Sequence, residues 1–332
     1  MKAALLPLTA GLALATLTTL SNASESKSQP ELKPLASLKA EALKARSGLK
    51  REWISPEAQL VLHFDFESFQ KTSTWKMLVE HEDDINIELD EIRQEFGIDP
   101  FTDLKSLTAY SKTSDSDDGV AIITASGNID QALARIQEEK EYRRVTVEGL
   151  ELHVWSERGD DDAVAYIHPL TSGERVIVLS DHQASTIEAA KIVRGEAPNH
   201  LNGNGLLPIT PAPDSFFYLS TASIPGVDDL PPASRIASLT KNIHIDLGET
   251  NGTLDATISA MASSPEDALQ ASKMIEGFKA LGYFAAQEFG VGNLLEAIRV
   301  DTRGNQILIN FSYNVRNLVE EIKALEDTHG PF

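Results

Sequence analysis

Apolar residues recur along this chain in two rhythms, at every second position over short runs and at every third or fourth over longer ones. Period two turns one face of a strand toward a core, and period 3.6 builds one stripe of a helix. The run Leu60-Val61-Leu62-His63-Phe64-Asp65-Phe66 is short, alternating and rich in β-forming residues, so it predicts a strand. Helical spacing follows over 67–81 and 83–96. In the second stretch Ile85, Leu89, Ile92 and Phe96 share a face and Gly97 supplies the stop. Residues 104–112 and 120–126 predict a hairpin with its loop at 113–119, and 130–141 a helix capped by Asn128. Strands are expected near 144–147, 150–156, 164–168 and 175–180, then a helix over 183–194 ending at Gly195.

Residues 199–213 hold three Asn, two Gly and three Pro, which marks a boundary. Beyond it the pattern resumes with a strand at 215–221 and a short helix near Ser234. A hairpin over 242–247 and 253–261 closes at Thr250-Asn251-Gly252, where Asn-Gly between alternating runs favours a tight turn. Ser264-Pro265-Glu266-Asp267 reads as an N-cap, a proline at N1 and acids in the first turn of a helix. Ala271, Met274, Ile275, Phe278 and Leu281 give that helix its apolar stripe. A further hairpin turns at Arg303-Gly304-Asn305, and a last helix spans 315–325.

The two halves look like loose copies of one plan, strand, helix, hairpin, long helix, hairpin, helix. Hairpins alternating with helices predict an α+β protein of two tandem domains, each an antiparallel sheet with helices packed mainly on one face. The expected divisions are a signal peptide at 1–23, a polar linker at 24–53, a first domain at 54–198, a linker at 199–213 and a second domain at 214–332.

The leading strand at 60–66, the turn Phe96-Gly97-Ile98-Asp99-Pro100, the strand Leu104-Lys105-Ser106-Leu107-Thr108 and the helix start Gly127-Asn128-Ile129-Asp130 follow in that order. This succession resembles a group of exported proteins of unknown function from planctomycete- and verrucomicrobia-type bacteria. The resemblance implies a fold and an exported location; its motifs are structural and carry no catalytic residue onto this chain.

Lys2, an apolar run from Ala3 to Leu20 and the small residues Ser21-Asn22-Ala23 give the order of a secretory signal. Later stretches fall short of the roughly 20 apolar residues a membrane helix needs. There is no cysteine, which excludes disulfides, thiolate metal sites and a cysteine nucleophile, and in an exported chain of this size points to a bacterial periplasm or secretion. Fifty acidic against 29 basic residues give a charge of −21, and loss of Lys2 with the signal makes it −22. Such a surface is repelled by nucleic acid and anionic lipid.

Motifs whose chemistry dictates spacing are missing. No phosphate-cradling loop or nucleophile elbow occurs, and His81-Glu82-Asp83-Asp84-Ile85 has Ile85 where a zinc helix needs its second histidine. The acidic tip Asp115-Ser116-Asp117-Asp118-Gly119 imitates a calcium loop but has Ser126 where the bidentate glutamate belongs. His63 with Asp65, and His244 with Asp246, place two ligating types on one face of a strand. His63 and Asp65 are therefore the candidate metal ligands. Because Leu62, Phe64, Ile243 and Ile245 define the core side, both pairs are expected on a wet opposite face. His153 is expected on a sheet surface and Trp75 in the core. No catalytic residue and no cofactor is assigned. The expected function is a non-catalytic binding or scaffold protein of the bacterial envelope, with an unknown protein or small-molecule partner. The alternatives are a periplasmic hydrolase or metal-dependent enzyme built from distant residues such as His63, Asp65, His153 and His168, and a regulatory or inhibitory module docking on an envelope protein.

Overall fold

The computed structural model describes residues 48–329 except 82–89, 91–92, 95–96, 114–117, 127–128, 139–140, 157–161, 204, 223–235, 237 and 290–291. The signal peptide, most of the first linker, most of the helix expected over 83–96, the Asn128 cap, residues 115–117 of the acidic tip and the helix near Ser234 lie outside the described residues.

Twelve strands form one antiparallel sheet. They are β1 (Leu60–Asp65), β2 (Leu104–Ser111), β3 (Val120–Ala125), β4 (Arg143–Val147), β5 (Leu150–Ser156), β6 (Asp162–Pro169), β7 (Arg175–Ser180), β8 (Ser215–Thr221), β9 (Thr240–Thr250), β10 (Thr253–Ala262), β11 (Ile298–Arg303) and β12 (Gln306–Asn314). Their spatial order is β11-β12-β10-β9-β8-β1-β2-β3-β7-β6-β5-β4. The α+β class and the antiparallel pairing are as the pattern predicts. The division into two sheets is not what the strands do: β8, from the second half, pairs with β1 from Leu60↔Thr221 to Phe64↔Phe217. Residues 199–213 therefore cross over the sheet without interrupting it.

Local chemistry accounts for the hairpins. Asn251 and Gly252 take φ of 54° and 75°, the pair of positive values a two-residue I′ turn requires. The helices are α1 (Phe66–Phe69), α2 (Ser73–His81), α3 (Pro100–Asp103), α4 (Asp130–Gln137), α5 (Gln183–Val193), α6 (Pro265–Phe289), α7 (Asn293–Glu296) and α8 (Val315–His329). The helix expected over 67–81 is two. Asp65 Oδ1 accepts from the Ser68 N–H and opens α1, while Thr72 Oγ1 accepts from the Trp75 N–H and opens α2. Each short polar residue offers the backbone a fresh start and breaks the run. Ser264 opens α6 as expected, with its Oγ 3.1 Å from the Asp267 nitrogen.

Both faces of β1–β3 and β5–β7 carry core, a departure from helices on mainly one side, while the edge strand β4 stays largely exposed. One face presents Phe64, Leu107, Ile123, Ala165 and Ile177 to α1–α4, and Phe64, Phe66, Phe69, Trp75 and Phe101 interlock there. Trp75 is thus core, as expected. The other face presents Val61, Ile122, Val154, Val164 and Val178 to α5 and to two irregular segments. Those segments come from the supposed linkers: Leu49 is buried in one, and Leu207 and Ile209 in the other. In β9–β12 the one-sided plan holds. Ile307 and Ile309 pack against α6, while among the described residues no helix packs on the reverse side.

Candidate functional site

The reverse side of the sheet carries a polar row that crosses the boundary between the halves. Register places Thr108 beside His63, His63 beside Tyr218, Tyr218 beside Asp246, Asp246 beside Thr257 and Thr257 beside Asn310. His63 Nδ1 lies 2.9 Å from Thr108 Oγ1. The Tyr218 hydroxyl donates to the Pro208 carbonyl at 3.1 Å and accepts from the Thr210 N–H at 3.2 Å. His244 stacks on the Tyr218 ring with centroids 6.5 Å apart. Asp246 Oδ1 accepts from the Ala212 N–H at 3.1 Å. Burial pushes the Asp246 carboxyl and the Tyr218 phenol up and the His244 imidazole down, the direction expected when a charged form loses water.

From Asp246 toward β12 the row emerges from under the 208–214 segment. Thr257 Oγ1 donates to Asn310 Oδ1 at 3.2 Å, and Gln306 Nε2 donates to Ser259 Oγ at 2.9 Å. This side of β9–β12 is a polar, part-exposed surface with β11 at its rim.

A second feature lies at the far end of β1. A cleft of about 510 Å³ is bounded by the entering chain at Gly48 and Lys50, by Trp53, by the start of α1 and by the β6–β7 turn near Glu174. Asp65 forms part of its wall. Burial holds the Asp65 carboxyl above its ordinary value, while the backbone and hydroxyl of Ser68, bonded to its two oxygens, pull the other way. Gly48 has φ of +63°, and a Cβ there would stand 3.0 Å from Asp65 Oδ2; only glycine lets the chain pass so close.

The residues singled out from sequence fall into place as follows. His63 and Asp65 are 1% and 5% exposed, not on the wet face expected. The expectation fails because the entering chain crosses a side that the alternation alone leaves open: a Cβ on Gly48 would stand 3.0 Å from Asp65 Oδ2 and 3.7 Å from His63 Nε2. His63 and His244, remote in sequence, stand two strands apart and two residues out of register, roughly 12 Å at the usual strand spacing and rise. His153 is half-buried on the opposite face and pairs with the Tyr142 hydroxyl at 2.8 Å; burial, then Arg144, lowers its pKa. His168 stacks with Tyr166 four strands from His63. His63, Asp65, His153 and His168 therefore share no single pocket. Among the described residues no three His, Asp or Glu side chains gather as a metal ion requires. Asp118 is held by Ser111 Oγ at 2.5 Å and Thr113 Oγ1 at 3.0 Å. Sequence reasoning missed Tyr218, Asp246 as its neighbour, and the cleft. The polar alternation of β9, β10 and β12 was the available signal for the open face.

No family model matches the chain, and no curated protein matches it. Three crystal forms of TP0453, a Treponema protein, are similar in structure. Crystal form III has a TM-score of 0.43 at 10% identity, covering 83% of this chain and 98% of that one. Crystal form I has a TM-score of 0.42 at 10% identity, covering 84% and 98%.

Proposed function

We propose that this is an exported bacterial envelope protein that binds or scaffolds another molecule, and that the open polar side of β9–β12 is the surface it uses. The observation that carries the reading is one-sided coverage. The strands β1–β3 and β5–β7 of the first half carry core on both faces, yet on β9–β12 the described helices pack on one. The reverse side offers donors and acceptors from Thr257, Ser259, Gln306 and Asn310. A polar, hydrogen-bonding patch of this kind suits a partner that binds reversibly. The order Lys2, apolar run, Ser21-Asn22-Ala23 supports export. Among the described residues no helix is long and apolar enough to cross a membrane.

The test is capture from the native envelope with the wild-type chain and with a Thr257→Arg/Asn310→Arg double variant. A species retained by the first and lost by the second is the expected result. The same captured species with both proteins would remove β9–β12 from the account.

A further inference from the structure

We propose that the cleft beside Asp65 is a binding site for a neutral saccharide. The site is separate from the open face of β9–β12, because the cleft lies at the Asp65 end of β1 and is lined only by residues between 48 and 174.

The lining decides the ligand class by its charges. Lys50, Lys71 and Lys105 face the cleft together with Glu52, Asp65, Glu67 and Glu174. An anion entering meets four carboxylates and a cation meets three ammonium groups, so neither finds a site of one sign. Part of this charge is already satisfied within the protein: Lys71 Nζ lies 3.0 Å from Glu67 Oε1, and Ser172 Oγ donates to Glu174 Oε2 at 2.9 Å. What remains is a wall able to give and take hydrogen bonds in every direction, with the hydroxyls of Ser106, Thr124 and Thr171 adding groups that do both.

The large apolar elements are Trp53 and Leu170, both partly buried against the neighbouring core and so held in place, and Trp53 is the aromatic one. An aromatic plane beside a ring of mixed donors and acceptors matches a sugar, whose C–H face is apolar and whose rim is all hydroxyl. The volume falls within the roughly 300–1,000 Å³ of small-ligand sites. The wall is also rigid. Asp65 is locked by Ser68, and Gly48 crosses it with no room for a side chain, which lowers the ordering cost of binding.

The test titrates the full chain with cellotetraose, maltotetraose and chitotetraose, followed by backbone NMR and tryptophan fluorescence. At least one of the three binds, with shifts confined to the cleft residues at 48–53, 65–71, 105–106, 124 and 170–174. Affinity falls roughly tenfold in Lys105→Ala and in Trp53→Ala, Trp53→Phe retains most of it, and sodium chloride changes little because the ligand carries no charge. Lys105 is part-exposed, so its variant keeps the test open should Trp53→Ala misfold. Failure of all three sugars to bind, shifts elsewhere on the molecule, or salt-sensitive binding of triglycine in their place would overturn the assignment. None of these outcomes bears on the Thr257/Asn310 surface.

Discussion

Glu249 Oε2 accepts hydrogen bonds from both the backbone N–H and the hydroxyl of Thr74, at 2.9 and 2.7 Å, while its other oxygen takes the Ser73 N–H at 2.6 Å. The carboxylate belongs to β9 and the amides to the first turn of α2, so a residue of the second half caps a helix of the first across 175 positions of sequence. A negative charge at a helix N-terminus is favoured both by the unpaired amides and by the helix dipole.

Glu249→Ala is expected to cost roughly 1–2 kcal/mol, the loss usual for a removed cap, and Glu249→Gln about half as much. Burial raises the Glu249 pKa, but the hydrogen bonds from Thr74 and Ser73 outweigh it, and the folded value lies below the ordinary one. The stabilisation is then full above the unfolded carboxylate pKa and disappears as pH falls through the folded one. Urea melts of wild type and Glu249→Gln at pH 7 and in acid check this: the gap between them should close on acidification.

Asp65 has the opposite sign. Burial is the largest influence and its folded pKa is raised, so the energetic benefit of its protonated form is complete below the unfolded pKa and lost as pH rises through the folded one. At neutral pH its charge is a cost that the cap to Ser68 offsets. Asp65→Asn keeps an acceptor for the Ser68 amide and removes the charge; it should match or exceed wild-type stability at pH 7. Asp65→Ala removes the cap and should lose about 1 kcal/mol. Thermal melts of the two variants side by side separate the cap from the charge.

Gly248 lies on β9 where the 212–215 segment crosses it. A Cβ there would stand 2.6 Å from the Asp214 carbonyl oxygen, and backbone cannot swing aside as a side chain does. Gly248→Ala should destabilise by about 2 kcal/mol or more through overpacking, and the damage should reach Tyr218 and Asp246, which the same segment holds. Hydrogen exchange at Ala212 and Thr210 is the local readout.

His244 is lowered by burial alone. Its folded state favours the neutral ring, so its contribution to stability is present above the unfolded histidine value of about 6.5 and is lost as pH drops through the folded pKa. An NMR titration should place its midpoint below that of an exposed histidine. A midpoint at or above the ordinary value would mean that the ring is solvated and the 208–214 cover is loose.

Alternation and turn chemistry carried most of the secondary structure. β5, β7 and β8 run as their apolar pattern predicts, the Asn251-Gly252 turn sits where two positive φ values are needed, and Ser264 starts α6. Such features depend on residues within a few positions of one another, which a linear pattern records. What only the tertiary structure decided is which strands meet and what covers them. The pairing of β1 with β8 merges two expected sheets into one, and the close fit of Leu49, Leu207 and Ile209 turns two polar-looking linkers into core. Through both, His63 passes from an expected wet face to a buried one and comes to lie beside Tyr218. A strand's period says which residues share a side; it cannot say whether water or another part of the chain will occupy that side, because that is settled by contacts between residues far apart in sequence.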